Sequence, residues 1–351
     1  MSITQTPFGF VDGRTVELFT LTNAAGMAVK ITNYGGTVTS LVVPDRDREP
    51  TDIVCGFDSL DGYFSETYRE NSPYFGCVVG RYAGRVKDGR FKVPPSDRDH
   101  ILCCNDGANH IHGGLKGFDK RVWDAVAIQE GSDAVLELRL HSPDGEEGYP
   151  GNLEVLVEYR LTPGNELRIR YRATTDQTTP VALTNHTYFN LNGFTDNIFD
   201  HVVTLHSDRY LVPDETNVPV GAEALVEGTM CDFREPRRVG DCFAELPMGF
   251  EHFYVFEPQG KMPTVAATIH DPTSGRTLEV LTTEPGGLFY TARYTSNALQ
   301  REDGTQFGQF RAFCMETAKY PNGPNIEGAP NCILAPGQHY DETTVYRLSW
   351  A

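Results

Sequence analysis

Much that would send a chain to a particular place or partner is missing from these 351 residues. No apolar run approaches the ~20 residues a membrane helix needs, and the opening MSITQTPFGF has neither the basic nor the apolar segment of a secretion signal. Positive charge is scarce. Thirty lysines and arginines stand against 48 aspartates and glutamates, a formal net charge of -18, which excludes the basic footprint of a nucleic-acid binder and any pull toward an anionic membrane. The eight cysteines, at 55, 77, 103, 104, 231, 242, 314 and 332, form no Cys-x-x-Cys pair; they are expected to be reduced, mostly buried thiols in a cytoplasm. No linker, low-complexity run, charge block or fixed-period repeat divides the chain, so residues 1–351 are expected to form one domain. A sustained helical stripe is also absent.

What is present is alternation. In 153–161 the odd positions are Leu, Val, Val, Tyr and Leu; in 167–173 they are Leu, Ile, Tyr and Ala, with arginines at 168, 170 and 172 between them. Period two with one polar face predicts half-buried antiparallel strands joined by a turn at Pro163-Gly164-Asn165. Leu136, Leu138 and Leu140 repeat the pattern, as do 264–270 and 276–282 around Asp271-Pro272, and earlier 16–21, 28–31 and 37–43, with Gly35-Gly36 as a turn or bulge. Residues 58–63 read as a short helix or a loop, 74–86 as a strand of small residues, and 94–100 as a polar excursion. With 39% hydrophobic residues to fill a core, and 34 glycines and 22 prolines punctuating short strands, the fold class is all-β, a large antiparallel β-sandwich.

Several stretches carry candidate chemistry. TNHTYFNLNG at 184–193 sets His186 between two asparagines straight after an apolar run, which suits a strand delivering polar groups into a pocket, or equally a turn-rich loop with an incidental histidine. Arg81 and Arg85 lie in the small-residue strand, where one of them could meet a polar substrate or both could form structural ion pairs. If extended, His110 and His112 share a face at the spacing of two metal ligands, but no third ligand is identifiable. Gly113-Gly-Leu-Lys-Gly lacks the spacing of a phosphate-binding loop. Glu316, ending the apolar Phe313-Cys-Met-Glu, has the surroundings to raise its pKa toward that of a general base at neutral pH, or to pair with an arginine. A histidine of ordinary pKa near 6.5 is matched to giving and retaking a proton. Together a histidine and a carboxylate suit isomerisation without a cofactor. Asn185-His186-Thr187 also matches a glycosylation sequon, which the missing secretion signal makes accidental.

Taken together and in order, Asn33-Tyr-Gly-Gly, Gly80-Arg-Tyr-Ala-Gly-Arg, His112-Gly-Gly with Gly117-Phe-Asp-Lys, Thr184-Asn-His-Thr-Tyr-Phe-Asn-Leu, Thr283-Glu-Pro-Gly, Phe313-Cys-Met-Glu-Thr, and Pro336-Gly with Tyr340 resemble the aldose 1-epimerase (galactose mutarotase) family nearly end to end. The resemblance implies a galactose mutarotase-like supersandwich with a sugar groove, and metal-free, cofactor-free interconversion of the α and β anomers of a free monosaccharide. By position it implies Glu316 as base toward the C1 hydroxyl, His186 as acid toward the ring oxygen, and His112 and Arg85 as hydrogen-bonding partners of the sugar.

The chain departs from the family pattern at Glu251, usually Asp, and at Leu288, usually Gln; Gly84 stands where Asn is frequent. The first keeps a charge on a longer side chain and the second removes a donor and an acceptor, so the preferred sugar is expected to differ from galactose. Other readings are a non-catalytic carbohydrate-binding sandwich, a glycosidase, which would need a carboxylate pair about the scissile bond, and a hexose-phosphate 1-epimerase, which would need converging cations. Monomer and homodimer are equally open.

Overall fold

Side-chain alternation lays out the sheets as the sequence predicts. The computed structural model describes residues 1–93, 98–257 and 260–351; positions 94–97 of the polar excursion lie outside them. In Leu153–Leu161 every odd residue is buried, and in Glu166–Thr175 Leu167, Ile169, Tyr171 and Ala173 are buried while Arg168 and Arg170 are exposed. The two strands pair with Tyr159 opposite Ile169 and Val157 opposite Tyr171, so both apolar sets fall on one face. Among the described residues they belong to a nine-stranded sheet in the order Asp124–Glu130, Asp133–Ser142, Leu153–Leu161, Glu166–Thr175, Tyr340–Trp350, Arg276–Thr282, Thr264–His270, Val202–Leu205, Arg237–Arg238. Ser2–Val11, Arg14–Thr22, Ala28–Thr32, Thr37–Pro44 and Pro50–Asp52 form a five-stranded meander. A further five-stranded sheet runs Pro219–Leu225, Arg209–Pro213, Glu251–Val255, Gly286–Tyr290, Cys314–Thr317. All pairings among these strands are antiparallel. One apolar cluster joins all three sheets, from Val29 and Leu41 through Leu138 and Tyr159 to Tyr254, Phe289 and Met315.

Two local readings change. Residues 74–86 do not form one strand: only Val78–Val79 and Arg85–Val86 are extended pairs, because Tyr74, Gly76 and Gly84 take positive φ, which breaks a ladder. At Gly76 a Cβ would stand 2.0 Å from the Val38 carbonyl oxygen, so no other residue fits. The segment near 58–63 is helical over Leu60–Phe64 and is followed by a second short helix, Glu66–Asn71, whose N-cap Ser65 accepts the Tyr68 N–H. All eight cysteines are unpaired.

Arg81 is a clamp rather than a substrate group. It is 2% exposed, and its guanidinium donates to Ser142 Oγ and to the carbonyls of Ser142, Pro143, Pro150 and Gly151 at 2.8–3.1 Å, closing the 142–151 connection over the small-residue stretch. Burial lowers its pKa to about 10, only partly offset by the charges of Asp144 and Asp176. Arg81→Leu strands these acceptors, and we expect a loss on the order of 3 kcal/mol in unfolding free energy, with turnover of the folded fraction unchanged; thermal unfolding alongside activity at low temperature checks both.

Candidate active site

Cross-strand partners point the same way, as do residues two apart on a strand. In the second five-stranded sheet Glu251 faces Tyr290, Phe253 faces Leu288, Leu288 faces Glu316, and Tyr290 faces Cys314. These six residues therefore share one face, while Tyr254, Phe289 and Met315 on the other enter the core. Five of the six, all but the buried Cys314, line a cavity of about 560 Å³ that also takes in Tyr74, Arg85, His112, Lys120 and His186. The structure thus brings together Arg85, His112, His186, Glu251, Leu288 and Glu316, and leaves the other two candidates, Arg81 and His110, outside the cavity.

His186 follows the short strand Thr184–Asn185, which pairs with Val78–Val79. Asn185 fixes the exit from that strand: its Nδ2 donates to the Gly76 carbonyl at 2.8 Å and to Tyr159 Oη at 3.3 Å, and its Oδ1 accepts the Thr187 N–H. A side chain so engaged, 1% exposed, is no glycosylation acceptor. The imidazole lies nearly parallel to the Tyr188 and Tyr74 rings, with centroids 5.0 and 5.9 Å away, and edge-on to His112 at 5.2 Å. Its Nε2 stands 3.5 Å from Glu316 Oε1; the two side chains are 5% and 4% exposed.

Burial sets the electrostatics of this pair. Desolvation raises the Glu316 carboxyl to about 8, assisted by the Glu251 charge and opposed by Arg85. It lowers His186 to about 3. The carboxyl shift follows the sequence expectation; the ordinary histidine pKa does not hold, because an enclosed imidazolium loses its hydration. Near neutral pH Glu316 therefore holds its carboxyl proton while His186 is a neutral ring.

Arg85 pairs with Glu251, which shares the sheet face of Leu288 and Glu316. Arg85 Nε donates to Asp106 at 2.6 Å and its terminal nitrogen to Glu251 at 2.9 Å, while Arg293 approaches Glu251 at 3.7 Å. Among the described residues Glu251 Oε2 and Glu316 Oε1 are buried with no hydrogen-bond partner, so each of these cavity-lining carboxyl groups keeps one acceptor unmet. Leu288, between Phe253 and Glu316 in register, packs beside Leu211 and Phe253. Gly84 has φ +76°, and a Cβ there would meet Pro321 at 2.9 Å.

His110 and His112 do not share a face. The strand His110–Ile111 ends where His112 turns to φ 51°; His110 is held inside by the Cys103 carbonyl and Tyr149 Oη, both at 2.7 Å. His112 instead gathers with His186 and Glu316, their polar atoms within 4.8 Å of one another, a spacing that a divalent cation can collect. The donors do not fit one. His112 Nδ1 accepts the Gly84 N–H at 3.2 Å, so the proton of the neutral ring sits on Nε2 and His112 has no lone pair to offer. One imidazole and one carboxylate are too few for a protein-held site.

Sequence reasoning missed Tyr74, Asp106, Arg293 and Lys120. Lys120 is paired with Asp119 at 2.6 Å and sits 5.1 Å over the Tyr74 ring. Tyr74 was visible only as an aromatic opening a small-residue run; Asp106 and Arg293 carry no local signal, since their partners are distant in the chain.

The family model described as aldose 1-epimerase matches residues 17–347. Galactose mutarotases of Bos taurus and Homo sapiens are each 41% identical, covering 100% of this chain and 100% and 99% of their own. The aldose 1-epimerase of Escherichia coli K12 is 33% identical over 99% of both chains. Among solved structures, galactose 1-epimerase from Lactobacillus acidophilus superposes with a TM-score of 0.84 at 31% identity, covering 99% of this chain and 98% of that one. A match over almost the full length, to the family model and to relatives of up to 41% identity, leads to one statement: the chain belongs to the aldose 1-epimerase family.

Proposed function

We propose that the protein interconverts the α and β anomers of a free aldose, with Glu316 and His186 exchanging protons with the sugar. The observation that carries this reading is the 3.5 Å approach of His186 Nε2 to Glu316 Oε1, both side chains buried at the cavity they line. With Glu316 ionised and His186 protonated, the carboxylate takes the proton of the C1 hydroxyl as the imidazolium gives one to the ring oxygen. The C1–ring oxygen bond breaks, the aldehyde turns about C1–C2, and the groups reverse roles to close the ring. The pair by itself holds the necessary proton on Glu316; an anomeric hydroxyl that donates to the carboxylate, and a ring oxygen that accepts from the imidazolium, favour moving it. His112 Nε2–H is the donor suited to a sugar oxygen, and Arg85 and Glu251 suit hydroxyl groups.

Full-length similarity to enzymes supports the isomerase reading over a non-catalytic sugar binder. A phosphosugar is poorly served, because Arg85 and Lys120 are already paired with carboxylates, leaving Arg69 at the exposed rim. Unpaired thiols favour the cytoplasm, and no described helix is long and apolar enough to cross a membrane. One groove fed by segments from Tyr74 to Glu316 favours the chain acting as a single unit. Polarimetry tests the activity: freshly dissolved α-glucose, α-galactose, arabinose and xylose should relax faster with protein than without, and acceleration of none of them would refute it.

Glu316→Gln keeps the shape and removes the base, so we expect turnover to fall by about 10²- to 10⁴-fold with sugar affinity largely retained. Near-normal turnover would exclude Glu316 from the chemistry. The same variant should be more stable than wild type at alkaline pH: a carboxyl raised from 4.5 to about 8 holds its proton more tightly when folded, so its contribution to stability declines as pH rises through that interval. Thermal unfolding at pH 5 and pH 9 measures the difference.

The singly protonated pair predominates between about 3 and about 8, so kcat/KM should be level through neutrality and fall about tenfold per pH unit above about 8, where the shared proton is lost. A corrected pH profile without that alkaline limb would contradict the assignment.

Leu288→Gln restores an amide beside Glu316 and should redistribute kcat/KM among aldoses by about 10-fold or more. An unchanged ranking across the sugar panel would show that the 288 side chain does not read the substrate.

A further inference from the structure

One strand addresses both nitrogens of the proposed acid. Cys314 and Glu316 sit two apart on Cys314–Thr317, on the same face. Glu316 meets His186 Nε2, and the Cys314 sulfur lies 3.6 Å from His186 Nδ1. Both side chains are buried.

We propose that Cys314 is a positioning residue for His186: its sulfur accepts the Nδ1–H and so holds the neutral ring in the tautomer whose Nε2 gives and takes the proton. The inference rests on the proton-transfer role given to His186 above. If Nε2 delivers a proton from the imidazolium, the neutral ring that remains must keep its proton on Nδ1; when Nε2 is to accept a proton, the same tautomer is required. Both halves of the reaction therefore need Nδ1–H, and Cys314 is the group against that atom.

The rings of Tyr74 and Tyr188 cannot supply this control. They lie nearly parallel to the imidazole, which fixes its plane but does not distinguish a ring from the same ring turned half a revolution. Only partners at the ring edge do that. A sulfur also orients without overcommitting. Burial keeps Cys314 a neutral thiol, with its pKa well above the usual value, and thiol sulfur is a weak acceptor. A carboxylate in its place would stabilise the imidazolium and oppose the donating step, as it would any proton that must leave.

Solution NMR of protein labelled with ¹⁵N-histidine tests the assignment, with the His186 signal identified by its loss in His186→Asn. Near neutral pH the wild-type ring should carry its proton on Nδ1. In Cys314→Ala the population should move toward Nε2–H, with kcat down about 10- to 100-fold and KM nearly constant, the loss expected when a partner that fixes a histidine tautomer is removed. Cys314→Ser, whose hydroxyl can also accept, should recover part of kcat. A wild-type proton on Nε2 overturns the proposal, as does a kcat within about twofold of wild type in Cys314→Ala. Should the alanine variant not fold, the wild-type tautomer still decides. Full activity in Glu316→Gln would refute the chemistry assigned to the pair, while the NMR result would judge the Cys314 contact separately.

Discussion

Withdrawal of water from two ionisable groups 3.5 Å apart is the constraint on which the rest of the structure depends. In solvent a glutamate and a histidine would titrate near 4.5 and 6.5 and the glutamate would hold no proton at neutral pH. Enclosed together, they move to about 8 and about 3, and the order of their affinities reverses. Neither charged neighbour causes this. Glu251 pushes the carboxyl up and Arg85 pulls it down, and the two are themselves paired at 2.9 Å, so their fields largely offset at Glu316 and burial prevails. The site needs walls more than it needs charges, and a large sandwich supplies walls.

Those walls must also be stiff, because an unmet buried acceptor invites rearrangement. Behind the groove Tyr340 Oη accepts the Leu183 N–H at 3.1 Å and donates to Glu284 at 2.7 Å, and Lys319 meets Glu284 at 3.0 Å. Leu183 precedes the segment bearing His186, Glu284 precedes the strand bearing Leu288, and Lys319 follows the strand bearing Glu316. One buried cluster thus ties together the three segments whose spacing matters. Thr283-Glu-Pro-Gly and Tyr340, which in the sequence are part of the family resemblance, are the joint beneath the site; neither Glu284 nor Tyr340 lines the cavity.

The fold was legible wherever side chains alternate over a long enough run. The strands at 153–161 and 167–173 and the turn between them declare themselves because one face is buried and the other carries arginines. Legibility failed at 74–86, where apolar composition suggested a strand but positive φ at Tyr74, Gly76 and Gly84 bends the chain; close approach of backbones leaves no periodic trace. In the site, Glu316 was readable from its apolar flanks, and its raised pKa followed. His186 could be located but not understood, since its low pKa comes from burial, to which Tyr74 and His112 contribute from two distant segments beside the neighbouring Tyr188. Arg81 and Arg85 were indistinguishable in the sequence. The structure sends one to backbone carbonyls and the other to the groove, a choice made by the 142–151 connection more than 60 residues away.

The departures at 251 and 288 also act through burial. Leu288 packs against the cluster that holds Leu211 and Phe253, so this side chain adds an apolar patch beside Glu316 and itself offers no group for a hydroxyl to bond. Such a patch discriminates weakly: a site built around a buried amide rejects a sugar lacking the matching hydroxyl by leaving the amide unpaired, whereas an apolar patch leaves nothing unpaired when the hydroxyl is missing. On the proposed reading, selection then falls to Glu251, on the same sheet face as Leu288, where Arg85 holds Oε1 and Arg293 stands 3.7 Å from Oε2. A hydroxyl reaching that oxygen gains a charge-assisted bond, and one that cannot reach it leaves a buried carboxylate oxygen unsatisfied. The combination favours tolerance at Leu288 and stringency at Glu251, and it leaves the Leu288 neighbour of Glu316 apolar, which strengthens the desolvation that puts the proton on Glu316.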